Sequence, residues 1–130
     1  MNNSFFNRLM AVAAFIGAFG VMFGAFGAHY LKSRLPDQNL ETLKTGVLYL
    51  FIHVLAALVT GMLGNMTPLP WLRRAGIAFI AGIFMFSGSL FIIGTAPITG
   101  FPVASIGWIT PVGGLSFILG WVALAMSRQN

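Results

Sequence analysis

The sequence predicts an all-α polytopic membrane protein with four transmembrane helices and both termini on the same side. Three observations carry this. Of 130 residues, 58% are hydrophobic and 7% are charged, against about 25% charged in an ordinary globular domain. Seven bases and two acids cannot cover a soluble surface. The apolar residues fall into four runs, each near the roughly 20 residues that cross a hydrocarbon core. Most of the prolines and charges lie in the breaks between runs, where helices end. One transmembrane domain over residues 1–130 follows, with spans at about 9–28, 45–63, 75–93 and 105–126.

The first run, Leu9 to Ala28, reads as a span. Arg8 ahead of it and Ala25-Phe26-Gly27 at its end mimic a signal peptide and its cleavage site, but the run exceeds the usual 7–15-residue signal core. Gly17, Gly20, Gly24 and Gly27 or Ala28 fall at three- and four-residue steps, on one helix face. In a bilayer such a small-xxx-small face lets another helix approach closely. Phe15, Phe19, Phe23 and Phe26 form a neighbouring ridge. Packing, within the chain or between copies, is the first reading, and a glycine-lined ligand groove or pore is the second.

Residues 29–45 hold both acids and three of the seven bases. Pro36 and Asp37 suit the first turn of a second helix, which starts outside the hydrocarbon and enters it near Lys44. Gly64 to Pro70 then breaks it. Trp71 with Arg73 and Arg74 opens the third span as interfacial anchors. Gly94 to Ala104, with two prolines and no charge, reads as a turn. In the fourth run Trp108 and Trp121 lie roughly 20 Å apart at helical rise, which suits one tryptophan at each interface. Pro111 predicts a kink, and Gly113 and Gly114 after it predict close packing.

Polar groups inside an apolar chain are costly and point to function or to packing. Glu41, Thr45, Tyr49 and His53 follow in i, i+4 steps on the second helix. His53 lies roughly 13 Å deeper than Lys44 at helical rise. Two readings stand for this stripe: a proton or ligand site from Glu41 through Tyr49 to His53, or a hydrogen bond from His53 that fixes helix packing. The glycine seam is expected to bring His29 to Glu41 or Tyr49. Ser87, Ser89 and Thr110 complete the candidate polar set, as hydroxyls that either bond within their own helix or bridge helices. No metal site, cofactor site or catalytic triad is expected, and with no cysteine thiolate chemistry is excluded. The two histidines sit at different depths, which argues against a bis-histidine haem.

The bases are dispersed at run ends, so no nucleic-acid partner is expected. Arg8, Arg73, Arg74 and Arg128 fall on one side, and Lys32, Arg34 and Lys44 on the other. This bias weakly favours cytoplasmic termini by the positive-inside rule.

Four segments carry a family resemblance: Gly24-Ala25-Phe26-Gly27-Ala28-His29, then Thr45-Gly46-Val47 with Tyr49 and His53, then Phe86-Ser87-Gly88-Ser89-Leu90, and Ile109 to Gly114 leading to Gly120-Trp121. In this order they resemble the domain-of-unknown-function 423 family of small four-span bacterial membrane proteins. The eukaryotic transmembrane protein 256 looks similar. The resemblance implies four helices with cytoplasmic termini, in a bacterial inner membrane, and assigns no activity or residue roles.

The function expected is therefore non-enzymatic: a self-associating bundle or an accessory subunit of a membrane complex, with membrane lipid and a homo-oligomer or larger complex as partners. The alternative is a small oligomeric channel or transporter with a polar site around His53 and Tyr49. The absence of a mid-span carboxylate disfavours the proton-coupled multidrug class. A lipid- or quinone-directed enzyme lacks a second catalytic group.

Overall fold

A computed structural model describes residues 4–128; residues 1–3 and 129–130 of the expected domain lie outside the described residues. Helix α1 spans Ser4–Tyr30 and α2 spans Asp37–Met66. Helix α3, Pro70–Gly82, runs through a π-helical turn at Ile83–Ser87 into α4, Gly88–Thr99. A 3-10 turn at Val103–Ser105 leads to α5, Ile109–Met126. Helices α3 and α4 form one 30-residue rod, so four rods are long and apolar enough to cross a membrane.

Local chemistry sets most of the ends. Asp37 lies in the first turn of α2 behind Pro36, where a negative charge suits the helix dipole. Thr67 turns extended ahead of Pro68 and stops α2. Pro70 opens α3 in its first turn, where its missing N–H costs nothing. The third rod ends at Gly100, whose φ of 75° is open to glycine without a Cβ clash.

Each of the first three expected spans lies inside a longer helix. Two expectations fail. Gly94 to Thr99 is helix and not turn, because α2 itself extends back to Asp37 and gives the rod something to pack on. The Asn39 side-chain amide donates to the Gly94 carbonyl at 3.2 Å, and Leu43 fills the space where a Gly94 Cβ would sit. The fourth helix starts at Ile109, four residues later than the expected 105. Pro111 is therefore its third residue. Its N–H would have had no helical partner, so the expected loss of a helical hydrogen bond does not occur.

Helix α2 is central. The first helix runs antiparallel along it, with Gly24 beside Val47, Gly20 beside Leu50 and Gly17 beside Val54. The α3–α4 rod packs antiparallel on α2, and α5 packs antiparallel on that rod, with Gly113 against Phe86 and Gly120 against Phe79. Both described chain ends thus lie at one end of the bundle. Lipid tails are as apolar as leucine, so close packing rather than water exclusion holds helices together here. The bundle uses glycine niches for it: Phe91 enters at Gly46, Leu9 at Gly76 and Phe117 at Gly82. Leu50, Leu72 and Phe79 are fully buried among them.

Candidate functional site

The polar candidates separate into two places. The first is the core between α2, the π-helical turn and α5. His53 is 3% exposed. Its Nδ1 sits 2.7 Å from the Tyr49 carbonyl one turn back. Its Nε2 accepts from the Trp121 indole N–H at 3.1 Å. A carbonyl cannot donate and an indole cannot accept, so the ring is the neutral tautomer with its proton on Nδ1. Phe117 stacks on its face, with centroids 3.5 Å apart and planes 6° from parallel. Tyr49 lies against Phe86 at 4.7 Å between centroids, and Phe79 meets Trp121 edge-on at 5.1 Å.

The hydroxyls extend this core. Ser87, fully buried, donates to the Gly46 carbonyl of α2 at 2.7 Å. Phe91 and Leu90, beside Ser87 on the same rod, fill the space where a Gly46 Cβ would sit. Ser89 donates to the Phe86 carbonyl at 2.9 Å and meets the Thr110 hydroxyl of α5 at 2.6 Å. Since the Ser89 proton is committed, Thr110 is the donor in that pair. The π-helical turn aims the two serines at different neighbours. Gly113 packs directly on the backbone of this turn at Phe86. Such turns widen a helix locally and recur where a rod must present unusual groups.

The second place is a groove between the end of α1 and the start of α2, about 990 Å³ in volume. Phe23, Val47 and Phe51 form its apolar floor, and His29, Lys32, Asp37, Glu41 and Lys44 edge it. Glu41 pairs with Lys44 at 3.0 Å, and both side chains are largely exposed.

Of the expected Glu41–Tyr49–His53 stripe, Tyr49 and His53 lie side by side, with ring centroids 6.1 Å apart, while Glu41 stands apart on the groove edge. Each i, i+4 step turns about 40° around a helix, so three steps carry the stripe about 120° from one face to another. Glu41 and Thr45 are exposed, while His53 is buried; Thr45 only bonds back to the Glu41 carbonyl. His29 does not reach Tyr49, whose partly exposed ring lies beside His53 and against Phe86. His29 shares the groove with Glu41, but among the described residues no hydrogen bond joins them. Of the expected packing glycines, Gly17, Gly20, Gly24 and Gly113 sit against neighbouring helices. Gly27 faces its own chain at Phe23 and Leu31, and Gly114 only touches the Phe86 ring.

Trp121 is the main residue that sequence reasoning misplaced. It was expected at an interface, and it holds His53 instead. Its signal was present: Gly113, Phe117 and Gly120–Trp121 share one face of α5 at three- and four-residue spacing. Other cations lie over aromatic rings near rod ends. The Arg34 guanidinium rests 3.8 Å over the Tyr30 ring, and Arg74 lies 4.6 Å over Trp71.

Four apolar rods with a buried, hydrogen-bonded polar core define a polytopic integral membrane protein. Residues 23–114 match the family described as Protein of unknown function (DUF423), and the chain belongs to that family. It is 35% identical to the UPF0382 membrane protein YwdK of Bacillus subtilis (strain 168), over 91% of this chain and 96% of that one. It is 34% identical to a UPF0382 membrane protein of Haemophilus influenzae, over 92% and 91% of the two chains. The UPF0382 inner membrane protein YgdD of Escherichia coli (strain K12) is 30% identical, over 91% and 87%. No solved structure matches.

Proposed function

We propose that the protein is a non-enzymatic component of the bacterial inner membrane that self-associates, or joins a larger complex, through the outer face of α1. One observation carries this reading. Ala11, Ala14, Ala18, Val21, Ala25 and Ala28 follow at alternating three- and four-residue steps, and all are exposed. The spacing makes one continuous seam of the kind that joins two helices. It is distinct from Gly17, Gly20 and Gly24, which pack against α2. The interior polar chemistry supports a structural role: His53, Ser87, Ser89 and Thr110 all bond within the chain. Cytoplasmic termini fit the four-to-three distribution of bases, and the name of the Escherichia coli relative fits an inner-membrane location.

The test is energy transfer between labelled copies in liposomes at graded lipid-to-protein ratios. Wild type is expected to transfer above the level of random proximity, and Ala18→Leu to lower it at least about tenfold in apparent association, a loss of roughly 1.4 kcal/mol. Ala18→Leu adds bulk only on the exposed seam. Equal transfer in both proteins, or none in either with no co-purifying partner, removes the proposal.

A further inference from the structure

We propose that the groove between α1 and α2 is a binding site for one phospholipid whose headgroup carries both a phosphate and a primary ammonium. Depth is the first argument. From Glu41 at the edge to Phe51 in the floor is ten residues, about 15 Å at helical rise. That is half of a roughly 30 Å hydrocarbon core, the reach of a lipid in a single leaflet. The groove opens at the end of the bundle where Arg34 lies over Tyr30, an interfacial pairing of cation and aromatic ring.

Polarity is the second argument. The floor at Phe23, Val47 and Phe51 is apolar and takes an acyl chain. The volume, about 990 Å³, is at the upper end for small-molecule sites, roughly 300–1,000 Å³. Charge is the third. The edge carries Lys32 and Lys44 on one account and Asp37 and Glu41 on the other. Among the described residues Lys32 and Asp37 have no ion-pair partner, while Lys44 and Glu41 hold each other. Two bases and two acids complement a zwitterion. A net-anionic headgroup would engage the lysines and leave both carboxylates beside a like charge. A primary ammonium can donate to Asp37 or Glu41 while the phosphate accepts from Lys32.

The experiment is native mass spectrometry of the full chain released from nanodiscs containing equal mole fractions of phosphatidylethanolamine and phosphatidylglycerol. Expected is one retained phosphatidylethanolamine, favoured about tenfold over phosphatidylglycerol, in line with a charge-assisted hydrogen bond. The double variant D37N/E41Q, on exposed positions, should remove that preference. Leu48→Trp, which narrows the groove, should reduce retention of both lipids. Equal retention of the two lipids by wild type, a preference for phosphatidylglycerol, or a preference unchanged in D37N/E41Q would each overturn the proposal. The same measurement on Ala18→Leu separates this site from the α1 seam: lipid retention is expected to persist there even when association is lost.

Discussion

His53 is held at both ring nitrogens and across its face, by Tyr49, Trp121 and Phe117. Such a group is expensive to disturb, because each lost partner leaves a buried donor or acceptor unpaired. Trp121→Phe keeps the ring packing and removes only the N–H. It should cost about 1–3 kcal/mol, read as a lower melting temperature in detergent. His53→Ala removes the stacked ring as well and should cost about 2–5 kcal/mol, the range for emptying a core site. Ser87→Ala should cost about 0.5–1.5 kcal/mol, the net worth of one hydrogen bond, since the Gly46 carbonyl, inside α2, keeps its helical partner. If His53→Ala melts with wild type, the ring does not hold the bundle. At this scale the sequence disclosed which residue to watch and not whom it meets. Depth below Lys44 singled out His53, because an ionisable group far from water needs a reason. Its partner sits 68 residues away, and the aromatic-belt rule assigned Trp121 elsewhere.

Glycines decide how closely the helices meet, and they are not equivalent. A Cβ at Gly113 would run into the backbone of the π-helical turn at Phe86, whereas one at Gly114 would make ordinary contact with the Phe86 ring. Backbone cannot rotate aside. Gly113→Ala should therefore destabilise by about 1–3 kcal/mol, the cost of overpacking, and Gly114→Ala should change stability by less than about 1 kcal/mol. Paired melting curves check the contrast, and equal shifts would count against the packing described. Both glycines looked alike in the sequence, since spacing alone cannot say which faces a backbone. Helix existence was legible from hydrophobic runs, because crossing a bilayer sets a length. The end of the third rod was not. Pro97 and Gly94 read locally as breakers, yet Asn39 and Leu43 of α2 hold that turn helical, a tertiary effect that local propensity does not contain.

Across the whole molecule the architecture was readable from composition and run length, and the antiparallel order follows from short connections. The groove was not readable. Its edge residues come from α1, the following turn and α2, and only the divergence of the two helices opens the space between them. The α1 seam had its signal in the alanine spacing, but sequence could not separate the face that α2 covers from the face left bare. The absence of cysteine makes that face directly testable. A single Ala18→Cys, placed on the exposed seam, should form a disulfide-linked dimer in native membranes on mild oxidation. Ile77→Cys, exposed on α3 away from the seam, should give at most a trace. Equal crosslinking at the two positions, or none at Ala18→Cys, would contradict assembly through α1.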